Sequence, residues 1–291
     1  GMTLIELTVV LLVLIGLAGL MIPYVSGFVS KTHDSTGTSN LAQLNSTIQR
    51  YQGQYMSLPD DLHSLVENAA SANANGIYDE LMNPNFLTAT TYSSDATMGV
   101  VLAEYPLSSL RMAGISSVYE MKDVTTNGSK TFDAGSASVN VPNPMMGGAA
   151  SDVVLAVLNA GDKGSVEQHL ADAFGGDINS YDSTCYDYVV MGVGQESQMS
   201  GRTLQDAPVH FAQNGDMGPD NKYNRFAAVF QVDKADSTIA NDPGGLGVST
   251  GNCSDSAEFA KLVGSAMLMM PNHLFGLQDE LNRSYSNIAA N

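Results

Sequence analysis

Apolar positions follow two different patterns along the first 55 residues. Over positions 2–22 the chain reads MTLIELTVVLLVLIGLAGLMI, apolar at almost every step, with Glu6 as its one formal charge. Such a run has no polar face, and its length is about the 20 residues that cross a bilayer. It predicts a helix that is apolar all round. After a polar stretch at 31–40, Leu41, Leu44, Ile48, Tyr51 and Tyr55 recur at steps of three, four, three and four. That period predicts an amphipathic helix with one buried stripe. Gly16, Gly19 and Pro23 are weak points in the first half, and Gly37 and Gly53 are places where the second half is open to interruption. Pro59 is expected to stop this helix and to open another, with Leu62, Leu65 and Val66 packing back.

Downstream, β-branched and aromatic residues predict strands at 117–124, 131–141, 186–193 and 225–232. The apolar run at 152–159 is too continuous to separate strand from helix. Helices are expected at 166–174, 257–270 and 274–288. The resulting organisation is a long N-terminal helix over residues 1–55, with an apolar half at 2–28 and an amphipathic half at 32–55. A globular head follows over residues 56–291.

Composition narrows the functional classes. The 291 residues hold 12 basic and 30 acidic side chains, a formal net charge of −18. Phosphate binding needs clustered Lys and Arg, so no nucleic-acid partner is expected for this chain. No Walker, HExxH or GxSxG pattern occurs. Gly192 and Gly194 lack the third glycine of a dinucleotide loop, and the five histidines have no ligand spacing. The chain is therefore not expected to be an enzyme, and no cofactor is required. The two cysteines, Cys185 and Cys253, are expected to form a disulfide if the head lies in an oxidising space, the alternative being two inert thiols. Asn214, Asp216, Asp220 and Asn221 place oxygen ligands on a glycine-rich turn suited to a hard cation such as Ca²⁺. They lack the full EF-hand spacing, and a solvated polar turn is the competing reading.

Glu6 sets the first segment apart from a signal peptide or a plain anchor. An ionised carboxylate in hydrocarbon costs at least roughly 2.5 kcal/mol on insertion scales. A positive charge on another copy of the chain would offset that cost, which points to self-assembly. Gly1-Met2-Thr3-Leu4-Ile5-Glu6 resembles the processing site of the type IV pilin superfamily, and Leu7, Thr8, Val9 and Val10 continue that family's run. Pro23 stands where those proteins often place a helix-bending proline, and Tyr51 to Leu65 resembles their exit from the long helix.

The resemblance implies a type IV pilin-like α+β fold, with a long N-terminal helix and a head containing an antiparallel sheet. It implies cleavage after Gly1, methylation of Met2, and an assembly role for Glu6 through the amine of a neighbouring Met2. The implied function is a major pilin that forms a helical homo-polymer. The implied partners are the inner membrane before assembly, a prepilin peptidase and the pilus assembly machinery. The final location would be an extracellular, cell-surface filament. A type II secretion pseudopilin and a minor tip pilin acting as an adhesin are the alternatives within the same superfamily.

Overall fold

The structure is a computed structural model. It describes residues 4–67, 77, 87–92, 94–97, 100–103, 105–121, 125–126, 129–130, 137–141, 152–158, 185–209, 225–234 and 258–267. Helix α1, Leu4–Tyr55, is 52 residues long. It runs through Gly16, Gly19, Pro23, Gly37 and Gly53 without a break. The expected interruptions at Gly37 and Gly53 do not occur. At Gly53 the adjoining turns carry Ile48 and Tyr51, whose burial holds the helix to the sheet and outweighs the glycine's propensity cost of about 1 kcal/mol. The helix ends where Met56 takes a left-handed conformation, φ 54°, and its N–H donates to the Gln52 carbonyl at 2.8 Å. This is the terminating position normally held by glycine.

The strands are β1 (Leu62–Glu67), β2 (Leu87–Tyr92), β3 (Ser94–Thr97), β4 (Val100–Ala103), β5 (Ser117–Met121), β6 (Thr125–Thr126), β7 (Ser129–Lys130), β8 (Ala137–Asn140), β9 (Val153–Leu158), β10 (Tyr186–Gly192), β11 (Phe226–Asp233) and β12 (Lys261–Met267). A short helix α2 (Tyr105–Met112) precedes β5. Eight strands form one sheet in the order β12-β11-β10-β1-β5-β8, with β9 pairing β10 and β2 pairing β9. Every pairing is antiparallel except β1 with β5, where Leu62 faces Val118. The pairs β3–β4 and β6–β7 form small separate hairpins.

Alternate residues of the central strands meet on one face. Val153, Leu155 and Val157 of β9, Val189 and Met191 of β10, and Phe226, Ala228, Phe230 and Val232 of β11 join Leu41, Leu44, Ile48 and Tyr51 of α1 in a single core. Leu107 and Leu110 of α2 complete it. The intervening residues, among them Val154, Ala156, Val190, Ala227 and Val229, are also buried. Strands buried on both faces read as continuous apolar runs, which is why 152–159 gave no period in the sequence.

These observations correct the expected fold class. The expected class was a type IV pilin-like α+β fold, with a long N-terminal helix, apolar in its first half, and a head containing an antiparallel sheet. The described molecule is dominated instead by an eight-stranded mixed sheet, and no helix among the described residues is long and apolar enough to cross a membrane. Two helical expectations fail for one physical reason. Leu62, Leu65 and Val66 lie in a strand, and the 257–270 helix is replaced over Lys261–Met267 by strand β12. In both segments pairing with a neighbouring strand satisfies the backbone where helical spacing or an apolar run had suggested a helix. In β12 an extra residue, Val263, breaks the register opposite Val229 and Phe230. The expected helices at 166–174 and 274–288 lie outside the described residues.

Candidate assembly surface

The N-terminal half of α1 exposes its apolar side chains in every direction. Leu4 is 81% exposed, and Ile5, Leu7, Val9, Val10, Leu11, Leu12, Val13, Leu14, Ile15, Leu17 and Met21 are each at least half exposed. Successive helical residues are about 100° apart, so these positions cover the full circumference. Burying each such side chain contributes about 1.5–3 kcal/mol. Contiguous apolar surface on this scale marks a contact site for another protein or for lipid. Gly16 and Gly19 have open space around a notional Cβ, so close approach within this chain does not require glycine there.

Glu6 lies in the first turn of α1 and is exposed. The amides of that turn carry the positive end of the helix dipole, which favours an acid at this position. Thr8 returns its hydroxyl to the Ile5 carbonyl at 2.9 Å, a local bond that keeps it from presenting a free donor. Gly1 and Met2 lie outside the described residues. Pro23 lies within α1, and its side-chain surroundings are outside the description.

The C-terminal half of α1 is attached to the sheet through its buried stripe and through residues 194–209, which follow β10 and form a strap. Arg50 Nη2 donates to the Thr203 carbonyl at 2.6 Å, and Tyr51 OH pairs with Gln198 Oε1 at 3.0 Å. Arg202 donates to Tyr51 OH at 3.3 Å and lies 5.2 Å over the Tyr55 ring. Tyr55 therefore sits at the rim, 46% exposed and stacked on Tyr51, rather than in the core as its spacing predicted. From β12, Ser265 Oγ donates to the Leu41 carbonyl at 2.9 Å. The strap is folded on itself by three amides, those of Arg202, Thr203 and Leu204, all bonded to the Met199 carbonyl.

Sequence reasoning left His63 as one of five scattered histidines. It is 1% exposed on β1, and its Nε2 lies 2.7 Å from Glu196 Oε2 at the start of the strap. A Cβ on Gly194 would fall 2.0 Å from that Nε2, so glycine is required for the close approach. Burial alone would raise the Glu196 carboxyl. The hydrogen bonds from His63 and the backbone, with the charges of His63 and Arg225, outweigh burial and hold it below its usual range. Asp60 is the second missed residue. It is 6% exposed and accepts from the amides of Ser116 at 2.8 Å and Ser117 at 2.6 Å, and from the Ser116 hydroxyl. These bonds tie the start of β1 to the start of β5 and support the parallel pairing. No sequence signal separates Asp60 from Asp61 beside it, which is only partly buried.

No family model matches the chain, and no curated protein or solved structure matches it either.

Cys185 is disulfide-bonded. Cys253 lies outside the described residues, as do all four proposed calcium ligands, Asn214, Asp216, Asp220 and Asn221. Close to Cys185 in sequence, Asp187 on β10 is described. Its carboxylate accepts from Tyr92 OH at 2.7 Å and lies 4.0 Å from Lys234 Nζ. Among the described residues no group of three or more His, Cys, Asp or Glu is placed to hold a metal.

Proposed function

We propose that this chain is a structural subunit that polymerises through the apolar N-terminal half of α1 into an extracellular filament. The observation that carries the reading is the exposure of Leu4 through Leu17 around the helix, whose other half is folded onto a sheet. Packing copies of this helix against one another covers that surface. The resemblance of the first residues to prepilin processing sites supports cleavage after Gly1 and methylation of Met2. In this reading Glu6 meets the Met2 amine of the next subunit and sets axial register, because a charge taken into an apolar core needs a partner. The reading rests on the N-terminal segment and takes nothing from the corrected fold class. No observation favours a secretion pseudopilin or a tip adhesin over it.

The decisive experiment compares wild-type and Glu6→Val chains in the sheared cell-surface fraction by electron microscopy and mass spectrometry. The expected result is abundant filaments of wild-type chain beginning at methylated Met2, with a tenfold or greater loss for Glu6→Val. Wild-type yields of filament from the variant would refute the proposed role of Glu6. Absence of the wild-type chain from the fraction would refute the filament itself.

A further inference from the structure

A cleft of about 310 Å³ lies between the outer side of α1 and the strap, lined by Asn40, Gln43, Thr47, Arg50, Thr203 and Gln205 among others. Its size falls at the small end of ligand pockets, about 300–1,000 Å³. Asn40, Gln43, Thr47 and Arg50 follow one another at helical spacing and form a polar stripe beside the buried Leu41, Leu44, Ile48 and Tyr51. In a chain with 30 acidic residues, no acid is among these described lining residues, and Arg50 is their one cation.

The hydrogen-bonding capacity of this wall is only partly used. Arg50 spends Nη2 on the Thr203 carbonyl, which fixes the guanidinium at the edge of the cleft and leaves further N–H donors. Gln43 Nε2 donates to Ser39 Oγ at 3.2 Å, and its backbone carbonyl takes the hydroxyls of Ser46 and Thr47. Asn40 of α1 and Gln205 of the strap both line the cleft, and each carries a side-chain amide. Each offers a donor and an acceptor side by side, which matches a pair of neighbouring hydroxyls. Leu204 and Pro208 add apolar surface beside them. On the α1 wall the backbone groups are already bonded within the helix, so a peptide has no strand edge to extend there and recognition must come from side chains.

We propose that this cleft binds a saccharide carrying a carboxylate, such as a hexuronate unit of a polysaccharide. Arg50 takes the carboxylate through its remaining donors, and the amides of Asn40, Gln43 and Gln205 take the ring hydroxyls. The site belongs to the head end of α1, and it does not depend on how the apolar half is covered.

The test is isothermal titration of the full chain in detergent micelles with three probes. These are a hexuronate oligosaccharide, the neutral hexose oligosaccharide of the same length, and a short glutamate-rich peptide. The expected result is binding of the hexuronate at least tenfold tighter than the neutral sugar, with no peptide binding. Arg50→Gln should abolish that preference. Because Arg50 also holds the strap, Gln205→Ala provides a second variant that leaves the Arg50–Thr203 bond in place, and it should weaken hexuronate binding severalfold. Equal binding of the two sugars, binding of the peptide alone, no binding of any probe, or an unchanged Gln205→Ala would each overturn the proposal.

Discussion

The two halves of α1 share one helix and differ in what their apolar residues touch. Toward the C-terminus, Leu44, Ile48 and Tyr51 are at most 2% exposed, set against β9, β10 and β11. Toward the N-terminus, Leu11, Leu12 and Leu14 are 56–74% exposed. The pattern explains the difference. A stripe at steps of three and four has one partner face and is satisfied by a sheet of the same chain. A helix apolar on all sides cannot be covered by one flat surface, so its burial requires several neighbours or lipid. One half therefore serves folding, and the other is available for association.

The sharpest way to break this comparison is to truncate one leucine in each half. Leu44→Ala should destabilise the head by about 2–5 kcal/mol through lost burial and a residual cavity. Leu11→Ala should leave denaturant unfolding of the head within about 0.5 kcal/mol of wild type. A comparable loss in both variants would show that the halves are not energetically separate. Asp60→Ala comes next. It strands the amides of Ser116 and Ser117, and a loss of about 2–3 kcal/mol is expected in the same measurement. An unchanged midpoint would mean that the β1–β5 pairing holds without this carboxylate.

The strap over the C-terminal half should also respond to acid. The Glu196 carboxyl is lowered in the folded state, so its contribution is complete above the ordinary glutamate value of 4.5 and is lost as pH falls below it. Glu196→Gln should flatten that part of the stability–pH curve measured by chemical denaturation. It should also speed amide exchange in residues 197–204 at neutral pH. A variant curve that keeps the wild-type slope in acid would assign the loss to other carboxylates. Two of these, Asp233 and Glu120, are raised chiefly by burial and act in the opposite direction. The smallest effect concerns the end of α1. Met56 holds a left-handed conformation at 93% exposure, so Met56→Gly should raise stability by about 1 kcal/mol. A loss of stability would mean that the Met56 side chain has a contact worth more than the backbone strain.

The helical stripe was legible because Leu41, Leu44, Ile48 and Tyr51 carry their period in the residues themselves. The strands at 186–193 and 225–232 were also legible, since β-branched and aromatic residues cluster there and the observed β10 and β11 fall within one residue of those bounds at each end. β1 was not legible. Leu62, His63, Ser64, Leu65 and Val66 are all buried, and a strand buried on both faces shows no alternation. The helix α2 was missed because Tyr105–Met112 is only eight residues long, too short for a period to stand out.

The candidate sites divide in the same way. The unbroken apolar run with its single acid, Glu6, is a property of consecutive residues, so the sequence by itself determined that the first segment must be covered by something. The His63–Glu196 pair, the Asp60 bonds and the cleft beside Arg50 each join residues separated by 56 to 153 positions. Contacts at that separation arise only when the sheet brings β1, β5, the strap and α1 together. Only the tertiary structure decided them, because hydrogen bonding and burial act through space and leave no local period in the chain.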